Sequence, residues 1–150
     1  MRLDVQVMAR MPVEHLARGE VVTASPDDSV QELAKRMEDD NVGSIVITDG
    51  SEPIGIVTDR DLTLQIVGEG KDPGGVSAED VMTTNLATVQ TDEGFYEATQ
   101  RMSEHAVRRL PVVNDTGELS GIITADDLNE LLADEHQQLA DVIQAQRPPY

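Results

Sequence analysis

With 150 residues and 39% hydrophobic content the chain can close one compact domain, or two small halves around a shared core, and with only 2% aromatics that core has to be aliphatic. The 29 acids against 11 bases leave a net charge of −18, which repels nucleic-acid backbone and argues against duplex or RNA binding. Without cysteine there are no disulfides or thiolate metal sites, and no apolar run approaches the roughly 18 residues that would span a bilayer.

The first residues show no basic segment followed by an apolar run, so the expected location is the cytoplasm. Lys35 and Lys71 are the two lysines; the other bases are arginine. So acidic a surface suits high salt, where the Debye length falls to about 3 Å at 1 M and self-repulsion is screened. A halophilic source is therefore expected, against the alternative of an ordinary acidic soluble protein.

In chain order, Leu3, Val5 and Val7 alternate as in a short strand, so residues 1–11 read either as an ordered N-terminal arm or as a frayed end. Pro12 to Leu16 reads as a short helical turn. Val21-Val22-Thr23 is extended. Ser25-Pro26-Asp27-Asp28-Ser29 signals a turn and a helix start, with acids where the positive end of the helix dipole favours them. Val30, Leu33, Ala34 and Met37 then form one apolar helical face, closed by Asn41 and Gly43. Ile45-Val46-Ile47 is a β-branched buried strand, Asp49 to Pro53 a turn, Ile54 to Val57 a returning strand and Asp61 to Val67 a second helix. Residues 68–75, with glycine at four of eight positions, form a linker.

The pattern then repeats 65 residues later. Ser77 to Val81 matches the first helical turn, and Phe95, Ala98, Thr99 and Met102 match the apolar helical face. Leu110-Pro111-Val112 matches the strand at Ile45. One extra residue in the turn Asn114 to Glu118 moves Gly55 onto Gly121 at an offset of 66, and a turn is where such an insertion is tolerated. The last helix continues an apolar stripe through Leu128, Leu131, Leu132, Leu139, Val142 and Ile143, past the end of the repeat. That face either folds back on the core or meets another chain. Residues 12–67 and 76–133 are therefore two repeats, and 134–150 a helical extension and tail. Each repeat is a small sheet with helices on one face, and two such sheets can bury their bare faces against each other. That packing creates two related clefts, the usual place for a ligand.

Gly55-Ile56-Val57-Thr58-Asp59-Arg60-Asp61 and Gly121-Ile122-Ile123-Thr124-Ala125-Asp126-Asp127 place a threonine at a strand-to-helix corner and an aspartate one turn into the helix. A carboxylate has two acceptor oxygens and can take two hydroxyl protons from one ligand. Gly55 and Gly121 would let a ligand approach the strand closely. The same Thr-x-x-Asp spacing also makes a variant capping box, and the two roles coexist only if the cap does not consume the aspartate. Arg108-Arg109, adjacent bases in a base-poor chain, read either as a phosphate clamp or as partners of surface carboxylates. The matching first-half residues, Gly43 and Ser44, are uncharged, so the two clefts should be unequal. Aromatic stacking is not available to a ligand, because Phe95 and Tyr96 belong to a helix and Tyr150 is terminal; Val22, Ile45, Ile54, Leu110 and Ile122 are the aliphatic candidates. His15, His105 and His136 lack metal-ligand spacing, Met37 and Met102 read as core, and no nucleophile–base constellation points to an enzyme.

The repeated motif, the β-α-β-β-α order and the tandem pairing resemble the cystathionine-β-synthase (CBS) domain pair, or Bateman module, over roughly residues 12–133. The resemblance is carried also by Val30-Gln31-Glu32-Leu33-Ala34 and Arg108-Arg109-Leu110-Pro111-Val112-Val113. It implies an α+β fold of two β-α-β-β-α repeats packed sheet to sheet with pseudo-twofold symmetry. It also implies a non-catalytic regulatory module, acting on an unknown protein and dimerising through its helices. The ligand it implies is AMP, ADP, ATP or S-adenosylmethionine, whose ribose hydroxyls Asp61 or Asp127 would accept, with no catalytic cofactor; by family correspondence Arg109 would serve the Asp127 cleft and make it the better nucleotide site. One cleft would be lined by Thr124, Asp127, Ile122, Arg108, Arg109, Ser25, Val42, Gly43 and Ser44. The other would be lined by Thr58, Asp61, Ile56, Gln90, Val107 and Arg108. The alternative is a ligand-free dimerisation and interaction module.

Overall fold

The structure is a computed structural model describing residues 11–145; the alternation at Leu3, Val5 and Val7 and the terminal Tyr150 lie outside them. A 3-10 turn at Val13–His15 leads into β1 (Thr23–Ala24), α1 (Val30–Asp40), β2 (Ser44–Asp49), β3 (Glu52–Thr58) and α2 (Asp59–Leu62). α2 continues as a π turn over Thr63–Val67. The second half follows as α3 (Ala78–Val81), β4 (Val89–Gln90), α4 (Phe95–His105), β5 (Arg109–Val113), β6 (Leu119–Thr124) and α5 (Ala125–Ala145).

The predicted punctuation is visible in hydrogen bonds. Ser29 Oγ accepts from the Glu32 N–H at 3.2 Å and starts α1. Asn41 ends it in the left-handed region at φ 53°, and the matching Ala106 ends α4 at φ 51°. Each helix is also tied to the strand before it by an arginine. Arg36 donates to the Thr23 carbonyl at 3.0 Å and pairs with Asp28 at 3.2 Å. Arg101, at the matching position, donates to the Thr88 carbonyl at 3.0 Å and grips both oxygens of Glu93 at 2.5 Å.

Two three-stranded sheets result, ordered β1-β2-β3 and β4-β5-β6, each with one parallel and one antiparallel pairing. β1 begins pairing at Thr23 with Val46, whereas β4 begins one position later, at Val89 with Val112. The reason is local: Pro111 stands where Val46 donates its N–H to Val22, and proline has none to donate. On the helix side of the first sheet Leu33, Ile45, Ile47 and Val57 are buried together, and on that of the second Ala98, Leu110, Val112 and Ile123. Val46 and Pro111 are as fully buried but belong to neither helix-side cluster. Strand alternation puts them on the opposite faces, between the two sheets. The halves are also stitched at their hairpins, where Leu119 N–H donates to the Ser51 carbonyl at 2.8 Å.

The lead-in turns are exchanged. Val13, with Leu16 and Ala17, packs into the second-half core, while Ala78 and Val81 pack into the first-half core. Both ends of each turn are fastened there. Val13 N–H donates to the Glu93 carbonyl at 2.7 Å and Ala78 N–H to the Asp28 carbonyl at 2.8 Å. Further along, Arg18 pairs with Ile122 on β6 and Thr83 with Ile56 on β3, each through two backbone hydrogen bonds. Neither core is complete without a segment from the other repeat.

Past Leu128 the described part of the α5 stripe leaves the second core, with Leu132 and Leu139 exposed. α5 is one continuous helix in which Leu128 is buried in the second core while Leu139 is 61% exposed.

Candidate ligand-binding site

Both strand-to-helix corners close as capping boxes. At the first, Asp61 Oδ2 accepts from the Thr58 N–H at 2.8 Å and Thr58 Oγ1 accepts from the Asp61 N–H at 3.2 Å. At the second, Asp127 Oδ2 accepts from the Thr124 N–H at 3.3 Å and Thr124 Oγ1 from the Asp127 N–H at 3.1 Å. Each cap uses one carboxylate oxygen. The other oxygen of Asp61 has no further partner among the described residues, whereas Asp127 Oδ1 accepts from Arg18 Nη2 at 2.7 Å and Nε at 3.2 Å. Burial alone pushes the Asp127 carboxyl up, but the hydrogen bonds from Arg18 and Thr124 and the Arg18 charge outweigh it, leaving Asp127 below its ordinary value.

Beside this second corner lies a cavity of about 290 Å³ between the halves. Arg18, Glu20, Val21, Val22, Asn41, Val42, Gly43 and Ser44 line it from the first repeat, and Arg109, Ile122, Thr124 and Asp126 from the second. It opens into a wider hollow that shares Arg18, Glu20, Val21, Val22 and Val42 and adds Gly19 and Asp40. A Cβ at Gly43 would lie 3.3 Å from Asp59 Oδ2 of its own repeat and in ordinary contact, at 3.5 Å, with an Arg109 guanidinium nitrogen of the other. Arg109 forms no ion pair among the described residues, whereas Arg108 pairs with Asp126 at 3.1 Å on the surface. The cavity therefore offers a guanidinium, a threonine corner at a helix start and a valine–isoleucine wall.

Of the residues assigned to the Asp127 cleft, Thr124, Ile122, Arg109, Val42, Gly43 and Ser44 meet in this one cavity. Asp127 is turned to an adjacent hollow with His15, Leu16 and Arg18. Ser25 sits in the turn before α1, its N–H donating to Asp28 at 3.0 Å. Of the other assigned set, Thr58 and Asp61 meet in their cap, while Ile56 is tied through its backbone to Thr83. Gln90 donates to Glu93, Val107 to the Met102 carbonyl and Arg108 to Asp126. No hydrogen bond or ion pair among the described residues joins Thr58 or Asp61 to those three.

Several expectations are corrected. Ile45 and Leu110 are fully buried on the helix sides of their sheets and Ile54 packs against the first core, so among the aliphatic candidates Val22 and Ile122 alone line the cavity. Gly55 and Gly121 make room for the exchanged lead-in segments rather than for a ligand. A Cβ at Gly55 would lie 2.5 Å from the Met82 sulfur, and one at Gly121 2.7 Å from the Arg18 carbonyl oxygen. Sequence reasoning missed Arg18, Glu20, Val21, Asn41 and Asp126. The available signal for Arg18 was a rare base just after the first helical turn, matched 65 residues later by Thr83. His15, His105 and His136 are exposed, Met37 and Met102 are buried in their cores, and no metal-holding cluster occurs among the described residues. No helix of the described residues is long and apolar enough to cross a membrane.

The family model for the CBS domain matches twice, over residues 13–68 and 78–134. An uncharacterized protein of Methanopyrus kandleri is 41% identical over 122 residues, which is 81% of this chain and 62% of that protein. The CBS domain-containing protein YhcV of Bacillus subtilis is 37% identical over 109 residues, 73% of this chain and 76% of YhcV. The inosine-5'-monophosphate dehydrogenase of Korarchaeum cryptofilum is 33% identical over 109 residues, 73% of this chain but only 22% of the enzyme. Among solved structures, the CBS domain pair of protein MJ0100 in complex with 5'-methylthioadenosine and S-adenosyl-L-methionine superposes with a TM-score of 0.75 at 26% identity, covering 83% of this chain and 98% of that one. With two matched repeats, paired three-stranded sheets and a cavity between them, the chain belongs to the CBS-domain family and is a tandem pair of these domains.

Proposed function

We propose that this pair is a non-catalytic sensor binding an adenosine-type ligand, among AMP, ADP, ATP and S-adenosylmethionine, in the cavity beside Thr124. The observation that carries the reading is Arg109, a base without an ion pair among the described residues, set in an inter-repeat cavity of an otherwise acidic chain. A phosphate would pair with that guanidinium bidentately. The base would lie against Val22, Val42 and Ile122 and the ribose at the Thr124 corner, where Asp127, now held by Arg18 and facing the adjacent hollow, would accept it only once Arg18 withdraws. The MJ0100 pair, solved with two adenosine compounds, supports the ligand class. Binding would shift the tilt between the halves through differential affinity for two arrangements, and a regulated protein would read that tilt. Thermal melting with each of the four ligands tests this. A ligand at 100 times its Kd should stabilise the pair by about 2.7 kcal/mol; no shift with any of them contradicts the proposal.

A second activity is self-association, which the exposed apolar side chains favour. Val67 is 77% exposed, and Leu64, Tyr96 and Leu139 are also exposed. A hollow of about 280 Å³ lies between α4 and α5, lined by Phe95, Met102, Leu128 and Leu132. A homodimer through these helices would cover them. Sedimentation giving twice the mass of 16.3 kDa supports it, and a monomer at all concentrations contradicts it.

A further inference from the structure

We propose that Arg18 is a charge-selecting arm that exchanges Asp127 for a ligand phosphate, so that the site takes a phosphorylated adenosine ligand in preference to an uncharged one. The inference rests on the ligand reading above and adds to it which ligand charge is accepted.

An ionised carboxylate has about four lone-pair positions. In Asp127, Arg18 occupies two with Nε and Nη2, and the Thr124 N–H takes a third. A ribose diol needs two acceptors, so Asp127 cannot receive it until Arg18 withdraws. The Arg18 side chain is 68% exposed, against 14% for Asp127, so the arginine is the partner free to move. Its backbone stays fixed, since Arg18 N–H and C=O both pair with Ile122 on β6. Arg18 also lines the cavity that Arg109 lines. An arm pivoting at that bridge leaves the carboxylate and reaches the place where a phosphate on Arg109 would sit.

The consequence for selectivity follows from charge. A phosphorylated ligand offers Arg18 a new anionic partner as it displaces the old one. An uncharged nucleoside breaks the Arg18–Asp127 pair and returns nothing to the guanidinium. The first corner has no such arm, because the residue delivered there by the exchanged lead-in is Thr83.

The test is titration calorimetry of AMP and of adenosine into the full chain, as wild type, Arg18→Gln and Arg18→Lys. Arg18→Gln should weaken AMP about tenfold, the loss of one charge-assisted contact. It should strengthen adenosine about threefold, because Asp127 no longer has to shed an exposed ion pair. Arg18→Lys keeps the charge and should keep most of the preference for AMP. Melting of the ligand-free variants checks that the fold is intact. Equal shifts for both ligands, or an unchanged preference in Arg18→Gln, overturn the charge-selecting role while leaving the site standing. Wild type that binds neither ligand contradicts the site and this inference together.

Discussion

At the first strand-to-helix corner Thr58 and Asp61 close a cap, and the second oxygen of Asp61 is left without a partner among the described residues. At the second corner the cap is the same, but Arg18 reaches in and takes the remaining oxygen of Asp127. The motif residues that make the caps are alike; what differs is the residue that the exchanged lead-in turn delivers, Thr83 in one case and Arg18 in the other. A duplicated unit has become two unlike sites through a segment that lies far from the motif in sequence. The uncharged Gly43 and Ser44, against Arg108 and Arg109, widen the same inequality.

The comparison can be broken at the lead-ins themselves. Gly121→Ala should destabilise the protein by about 2–3 kcal/mol in denaturant titration, within the range for overpacking. Its new methyl meets the Arg18 carbonyl, which cannot move without breaking the bridge to Ile122. Gly55→Ala should cost less, about 1 kcal/mol, because it meets the flexible side chain of Met82. Equal costs would mean that the two exchanged segments are held alike.

A smaller effect separates the arginine ties. Arg101→Ala should cost about 1–2 kcal/mol at pH 7, since the pair it breaks is bidentate and partly buried. Arg36→Ala, breaking a single longer pairing, should cost under about 1 kcal/mol. Arg101 holds the Glu93 carboxyl below its ordinary value of 4.5. A depressed carboxyl contributes stability that is complete above that ordinary value and lost as pH falls through the depressed one. The gap between wild type and Arg101→Ala should therefore be constant near neutrality and shrink in acid below about pH 4.5. A gap that widens in acid would contradict the assignment.

The smallest effect sharpens the comparison of helix ends. Ala106 sits in the left-handed region where Asn41 sits in the first repeat. Ala106→Gly should raise stability by about 0.5–1 kcal/mol by removing the Cβ penalty there. Asn41→Gly should change it by only a few tenths, since asparagine tolerates the conformation. Loss of stability in Ala106→Gly would show that the alanine is not strained.

These differences mark what could be read from the chain. Helix faces, caps and turns depend on local spacing, so Val30 to Met37, Ser29 and Asn41 are legible without the fold. The meeting of Val42–Ser44 with Arg109, Ile122 and Thr124 was legible through the repeat and the family resemblance. The exchange was not, because Val13 and Ala78 are small apolar residues suited to either core, and only tertiary packing decides which one they enter. Arg18 and the true role of Gly55 and Gly121 were hidden for the same reason. Burial of Ile45 and Leu110 was legible from their β-branched and aliphatic neighbours, but the face they take was not, since one step of register reverses it.

The most direct measurement is titration of AMP into wild type and Arg109→Ala, read for both affinity and stoichiometry. The account predicts one stronger site per chain in wild type, weakened at least about tenfold by the loss of the guanidinium–phosphate pair. Unchanged affinity in Arg109→Ala would contradict it.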